Sequence, residues 1–207
     1  MKSIKKNISK LLEEVVGKLS EELCDFEFTQ EERIYLNETL ERKVIHKKEF
    51  LLKKGECEKY IYFVESGGFR YWTIRPSGKE ITLWFAFDSE FTYSCFSLKS
   101  NETSMFNIQA VTDSVVWRIE KKSIHIGPNN SDNFNQLIRS ILEDLLKRKI
   151  KREIELLSST PEERYHELIS HEKRVELLIA SKDIASYLGI AHQTLCRIRK
   201  RNISIKQ

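Results

Sequence analysis

The sequence has little that staples, bends or spans. Its 207 residues hold four cysteines, Cys24, Cys57, Cys95 and Cys196, none within two to four positions of another. That spacing excludes a zinc knuckle and an iron–sulfur cluster, and lone thiols suit a reducing compartment. The longest apolar run is Leu83 to Phe87, far short of the roughly 20 residues of a membrane helix. The first stretch, MKSIKKNISKLLEEVV, is charged every few residues and lacks the apolar core of a signal peptide. No membrane and a cytoplasmic location are therefore expected. Seven Gly and three Pro, with 40% apolar and 32% charged residues, exclude a collagen-like or disordered chain. No Gly-rich phosphate loop and no Gly-x-Ser-x-Gly elbow occurs. His166 and His171 are five apart, wrong for one helical face, and His46 and His125 stand alone. Nothing supports catalysis, a metal site or a cofactor, and a non-enzyme is expected.

What is present is an uneven charge. The net +4 is mild. From His171 onward, however, Lys173, Arg174, Lys182, Arg197, Arg199, Lys200, Arg201 and Lys206 face only Glu172, Glu176 and Asp183. That tail carries +5 and everything before it −1, so an anionic partner is expected at the C-terminal end.

The periodicity of the chain changes along its length. Residues 3–40 read as one or two short helices, with Leu11, Leu12, Val15, Val16 and Leu19 on one face. From Lys43 to about Ile119 the pattern is strand-like: Lys43–His46, Tyr60–Glu65, Phe69–Ile74, Glu80–Phe85, Phe106–Val111 and Val115–Ile119. Turn signals at Lys54-Gly55, Ser66-Gly67-Gly68, Arg75-Pro76-Ser77-Gly78 and Thr112-Asp113-Ser114 separate them. Many short strands imply an antiparallel barrel or sandwich. Its aromatics, Tyr71, Trp72, Trp84, Tyr93 and Trp117, are either core or the lining of a ligand cavity.

Asp132 to Ser158 contains neither Gly nor Pro and reads as one helix of about 40 Å. Its early turns are apolar over a wide arc and its later turns along a narrow seam. The early turns then pack on the barrel and a second subunit, the later ones on that subunit alone, with Ile138, Ile141, Leu145, Ile150, Ile154 and Leu157 as dimer contacts. A long intramolecular core helix is the alternative. Thr160-Pro161-Glu162-Glu163 supplies a capping box with Pro at the first helical position, and the helix it starts carries Tyr165, Leu168 and Ile169 on one side.

The sharpest local signal is SKDIASYLGIAHQTLCRIRK, Ser181 to Lys200. Ser181 can cap a helix with Ile184, Ala185 and Leu188 inward. Gly189 permits the positive φ of a tight turn, and Leu195 and Ile198 pack a second helix, begun near Ala191, back on the first. That is a helix-turn-helix, and a helical hairpin in an all-α bundle is its plain structural alternative. The outward face of the second helix has no acid. His192, Gln193 and Arg197 are the candidates for base readout, and Thr194, Arg199, Lys200, Arg201 and Lys206 for phosphate.

Four segments, YIYFVESGGFRYW, PSGKEITLWF, TPEERYHEL and DIASYLGIAHQTLCRIRK, make residues 15–201 resemble the Crp/Fnr superfamily of bacterial transcription regulators. The resemblance implies an α+β fold. An N-terminal antiparallel β-barrel of the cyclic-nucleotide-binding, jelly-roll type with N-terminal helices would occupy residues 1–128, a long dimerisation helix 129–159, and a helix-turn-helix domain 160–207. It implies a homodimer on a roughly palindromic site in double-stranded DNA, RNA polymerase as a further partner, and a small-molecule effector held by the barrel. The departures from the family pattern are specific. The positions of the family's Gly-Glu pair and phosphate-binding Arg hold Tyr93-Ser94 and Ser104, and a neutral Ser cannot replace a buried Arg–phosphate pair. Tight cyclic AMP binding is not expected. The pocket would instead be marked by Trp72, Trp84, Tyr93, Ser94 and Ser104. Only Cys24 stands where the oxygen-sensing branch has a cysteine cluster, and no axial pair suits a haem. Asn202 to Gln207 are too few for a β-hairpin wing, which is expected to be reduced or absent. A ligand-binding barrel with a vestigial helix-turn-helix, acting through protein partners, is the alternative function. A cupin-type enzyme would need a His-rich metal site that the sequence lacks.

Overall fold

Period-two alternation decides the β-region. In strand β3 (Tyr60–Ser66), Ile61 and Phe63 point to one cluster while Tyr62 and Val64 point to another. In β8 (Ser114–Glu120), Trp117 and Ile119 take the first side and Val116 the second. Both faces are covered, so these strands read as almost unbroken apolar runs.

The computed structural model describes residues 8–15, 26–94, 102–126 and 131–205. A helical segment α1 (8–15) and α2 (Gln30–Thr39) precede the sheets. The remaining strands are β1 (Glu41–Ile45), β2 (Phe50–Leu52), β4 (Gly68–Ile74), β5 (Glu80–Phe87), β6 (Phe91–Thr92) and β7 (Asn107–Ala110). After β8 come α3 (Lys121–Ile126), α4 (Asp132–Ser158), α5 (Pro161–His171), α6 (Val175–Leu178), α7 (Ser181–Leu188) and α8 (His192–Ile205). The two sheets run β1-β8-β3-β6 and β2-β7-β4-β5, with every pair antiparallel. The fold is α+β and the β-region a jelly-roll sandwich of two sheets, not a closed barrel. Sequence periodicity missed β2 and β6, which are too short at three and two residues to show an alternation.

Three clusters make the core. One lies between the sheets, with Phe69, Tyr71, Ile108 and Val116. A second joins α1, α2 and the outer face of β3 and β8 to Phe134, Leu137 and Ile141 of α4. Leu12 and Val15 are buried in it and Leu11 packs against it, whereas Val16 and Leu19 lie outside the described residues. The third holds the C-terminal helices against Phe85 and Phe87 of β5. Gly67 closes the β3–β4 turn at φ 107°, and a Cβ there would sit 2.2 Å from Ser114 Oγ, so only glycine fits. The expected capping box starts α5: Glu163 N donates to Thr160 Oγ1 while Thr160 N donates to the Glu163 carboxylate.

Glu58 is a costly group in this frame. It is 2% exposed; one oxygen accepts from Lys59 N and Tyr60 N, and the other has no hydrogen-bond partner among the described residues. Burial pushes its carboxyl up to about 7 from the ordinary 4.5. The folded chain therefore holds a proton there that the unfolded chain releases, and stability falls as pH rises from 4.5 to 7. The full effect is about 3 kcal/mol at 1.36 kcal/mol per unit. Glu58→Gln keeps the acceptor and loses the titration. Urea unfolding at pH 5 and pH 8 should show wild type losing roughly 2–3 kcal/mol more than the variant across that range.

Candidate nucleic-acid interface and effector cavity

The helix-turn-helix is built as its residues dictate. Ile184, Ala185 and Leu188 of α7 are buried against Leu195 and Ile198 of α8. Gly189 turns the chain at φ 71°, ψ 28°, the left-handed conformation that glycine adopts without a Cβ penalty. One detail differs from the sequence reading: the N-cap of α7 is Ala180, without a side-chain hydrogen bond. Ser181 is the first helical residue, and its Oγ accepts from Arg199 Nη1 at 2.7 Å. Helix α8 continues through Ile205, so Asn202 does not lie beyond it.

On α8, His192, Gln193, Arg197, Lys200 and Arg201 are exposed and Thr194 is half-buried. The ring of His192 stands 4.0 Å from Cys196 Sγ, and Arg201 stands 3.7 Å from Glu162. Arg199 is half-buried and not part of this exposed face. Its guanidinium pairs with Glu176 at 3.1 Å, and Glu176 also accepts from Tyr165 OH at 2.5 Å. That cation ties α8 to α5 and α6, so it meets one of the chain's own carboxylates where the sequence reading places it at phosphate. Lys206 lies outside the described residues.

Strand β5 docks directly on α7. Thr82 N donates to Ser186 Oγ at 3.0 Å, and Tyr187 packs on Phe85 and Trp84 with centroids 5.2 and 6.2 Å apart. Arg70, buried on β4, donates to Thr82 and Glu80 and stands 3.1 Å from Asp183. Burial pushes the Asp183 carboxyl above its usual range, against the pull of Arg70. Arg174 pairs with Asp88 in the β5–β6 turn at 2.5 Å.

Between the sandwich and α4 lies a cavity of about 610 Å³. Trp84 and Tyr93 line it, together with Tyr71, Leu83, Phe91, Phe106, Ile141 and Leu145. The register shift between Tyr71 and Trp72 leaves Leu83 unpaired, and both Leu83 and Trp84 reach the cavity as a result. Trp72 does not line it. The indole packs on Phe50 and donates to Gln109 at 3.2 Å, because neighbours in a strand face opposite ways. Ser94 and Ser104 are 0% and 2% exposed and do not line it either, and the Ser104 hydroxyl donates to Phe106 O at 2.7 Å. The cations are Lys54, Arg148 and Lys149, and Arg148 is held by Glu90 and Asp144. The i, i+4, i+7 spacing of Ile141, Leu145 and Arg148 was the one signal for the α4 wall.

Helix α4 has two apolar sides. Ile141 is 4% exposed in the chain's own core, and Ile138 and Leu145 pack on that core, so Ile141 is not available to a second subunit. Leu146, Ile150, Ile154 and Leu157 are exposed and, at about 100° per residue, form one stripe on nearly the opposite side.

Residues 42–125 match the profile of the cyclic nucleotide-binding domain family. No curated protein sequence matched the chain. Among solved structures, FixK2 from Bradyrhizobium japonicum aligns with TM-score 0.70 and 18% identity, over 81% of this chain and 86% of its own. The c-di-GMP responsive global regulator CLP of Xanthomonas campestris aligns with TM-score 0.64 and 13% identity, over 84% and 92%. A putative Crp/Fnr transcriptional regulator from Eubacterium rectale aligns with TM-score 0.62 and 18% identity, over 86% and 85%. The chain has a cyclic-nucleotide-binding-type domain and the fold of the Crp/Fnr regulators. Among the described residues, no helix is long and apolar enough to cross a membrane.

Arg199 and Arg201, both cations of α8, should separate in a stability measurement. Arg199→Ala removes a hydrogen-bonded ion pair and should cost roughly 1–3 kcal/mol in urea unfolding. Arg201→Ala removes an exposed contact and should stay within roughly 0.5 kcal/mol of wild type.

Proposed function

We propose that the chain is a transcription regulator of the Crp/Fnr type, working as a cytoplasmic homodimer that reads a roughly palindromic DNA site in the major groove and acts on RNA polymerase. The observation that carries this reading is the acid-free, exposed face of α8 within a helix-turn-helix on that fold. His192, Gln193 and Arg197 read bases, and Thr194, Lys200, Arg201 and Lys206 meet phosphate. The exposed stripe of Leu146, Ile150, Ile154 and Leu157 holds the two copies together. The proposed domain limits fall at 128/129 and 159/160.

The cavity between sandwich and α4 is the proposed effector site. Its lining is mainly apolar, and Arg148 already has Glu90 and Asp144 as partners. A cyclic phosphate would have to compete for that guanidinium, and the other cations of the lining, Lys54 and Lys149, lack the planar fork that pairs a phosphate in bidentate fashion. Cyclic AMP is therefore not the proposed ligand.

Sequencing of genomic fragments retained by the purified chain tests the reading. A palindromic consensus should emerge. Arg197→Ala should relax one position of each half-site at a cost of ~1–3 kcal/mol. Binding without sequence preference, lost by ~200 mM salt, would instead favour a ligand-binding sandwich whose helix-turn-helix is vestigial and which acts through protein partners.

A further inference from the structure

The end of α7 invites a complete accounting. An α-helix leaves its last four carbonyls without intrahelical donors. In α7 these are Ala185, Ser186, Tyr187 and Leu188. The turn itself supplies two: Ile190 N donates to Ala185 O at 3.0 Å and Gly189 N to Ser186 O at 3.2 Å. The other two donors come from outside the helix-turn-helix. Arg152 of α4 donates through Nη2 to Tyr187 O, and Arg164 of α5 donates through Nε to Leu188 O at 3.1 Å. Arg164 also donates to Ser159 O at the end of α4.

These two guanidiniums stand apart from their neighbours. Arg148, Lys151 and Arg174 each pair with carboxylates, whereas Arg152 and Arg164 form no ion pair among the described residues. The guanidinium of Arg152 also stacks on the Tyr187 ring, 3.9 Å from its centroid. One turn further along α4, Leu156 Cδ2 sits 3.5 Å from where a Cβ on Gly189 would be. Cations at a helix C-terminus are favoured by the partial negative charge of its carbonyls. Here they arise from the elements that, on the reading above, hold the dimer together and lead to the DNA-binding unit.

We propose that Arg152 and Arg164 are positioning residues: they fix the helix-turn-helix to the long helix and so set the separation and angle of the two recognition helices. The inference rests on the dimeric DNA-binding reading and adds to it the residues that determine half-site spacing. Dimers of this kind bind half-sites about one helical turn apart, so a rigid mount prefers one spacer length and a loose one does not.

The test is a set of palindromes with one half-site sequence and spacers lengthened or shortened by one and two base pairs, bound to the full chain. A parallel set keeps the spacer and varies the half-site. For Arg152→Ala, with the dimer mass unchanged in sedimentation, the preferred-over-altered spacer ratio should fall by roughly tenfold or more, the loss of one hydrogen bond from a charged donor. Its preference among half-sites should be unchanged. Both readouts are ratios, so a smaller folded fraction cannot imitate the result. Arg152→Lys, which keeps a donor but not the planar stack, should fall between wild type and Ala. If Arg152→Ala does not fold, Arg164→Ala replaces it with the same expectation. Spacer discrimination retained in a folded variant overturns the inference, as does a wild type that prefers a half-site but no spacer. A wild type with no sequence preference at all overturns the DNA-binding reading itself.

Discussion

Helix α7 is held by five elements at once, α8, β4, β5, α4 and α5, and the geometry of the C-terminal unit depends on that. Its buried side gives Ile184, Ala185 and Leu188 to the contact with α8. Its flank receives strand β5 through Ser186 and Tyr187, and β4 through the Arg70–Asp183 pair. Its terminal carbonyls are held by Arg152 and Arg164. A hydrogen-bonded helix end tolerates little displacement, because each carbonyl left bare while buried costs about 1–3 kcal/mol. The orientation of α8 is therefore inherited from α4 and β5, not chosen by the helix-turn-helix alone.

The same elements bound the cavity. Trp84 lines it and also packs edge-on against Tyr187. Arg148 lines it and precedes Arg152 by one turn of α4. Burial holds the Glu90 carboxyl above its usual range, with Arg148 offsetting part of that, so this pair is a stiff link between the β5–β6 turn and the long helix. A ligand that shifted Trp84 or α4 would act on α7 within one side chain. Among the described residues, sandwich and helix-turn-helix are thus in direct contact through β5 and α7.

Much of this was legible in the sequence, for identifiable reasons. Helix α4 has its expected limits because Gly and Pro are absent and capped joints bound it. The turn at Gly189 and its packing residues follow from a pattern that only one local geometry satisfies. The strands of seven and eight residues declare themselves as short apolar, β-branched or aromatic runs between turn signals. Contacts between elements were not legible. Nothing in the order of residues says that Arg199 meets Glu176, or that Arg70 crosses to Asp183, since these pairs are 23 and more than 100 positions apart. Trp72 and Trp84 look alike in sequence, and the register shift in β5 sends one to the cavity while the other faces out. Ile141 and Ile150 likewise share an apolar spacing, yet one faces the chain's own core and the other is exposed. Two apolar sides on one helix appear in sequence as a single wide arc.

Hydroxyl-radical footprinting of the full chain on its selected DNA tests the central claim most directly. Two recognition helices mounted on one rigid dimer should leave two protected patches on the same face of the duplex, centred about 10 base pairs apart. Uniform protection along the duplex, or a single patch, would contradict it.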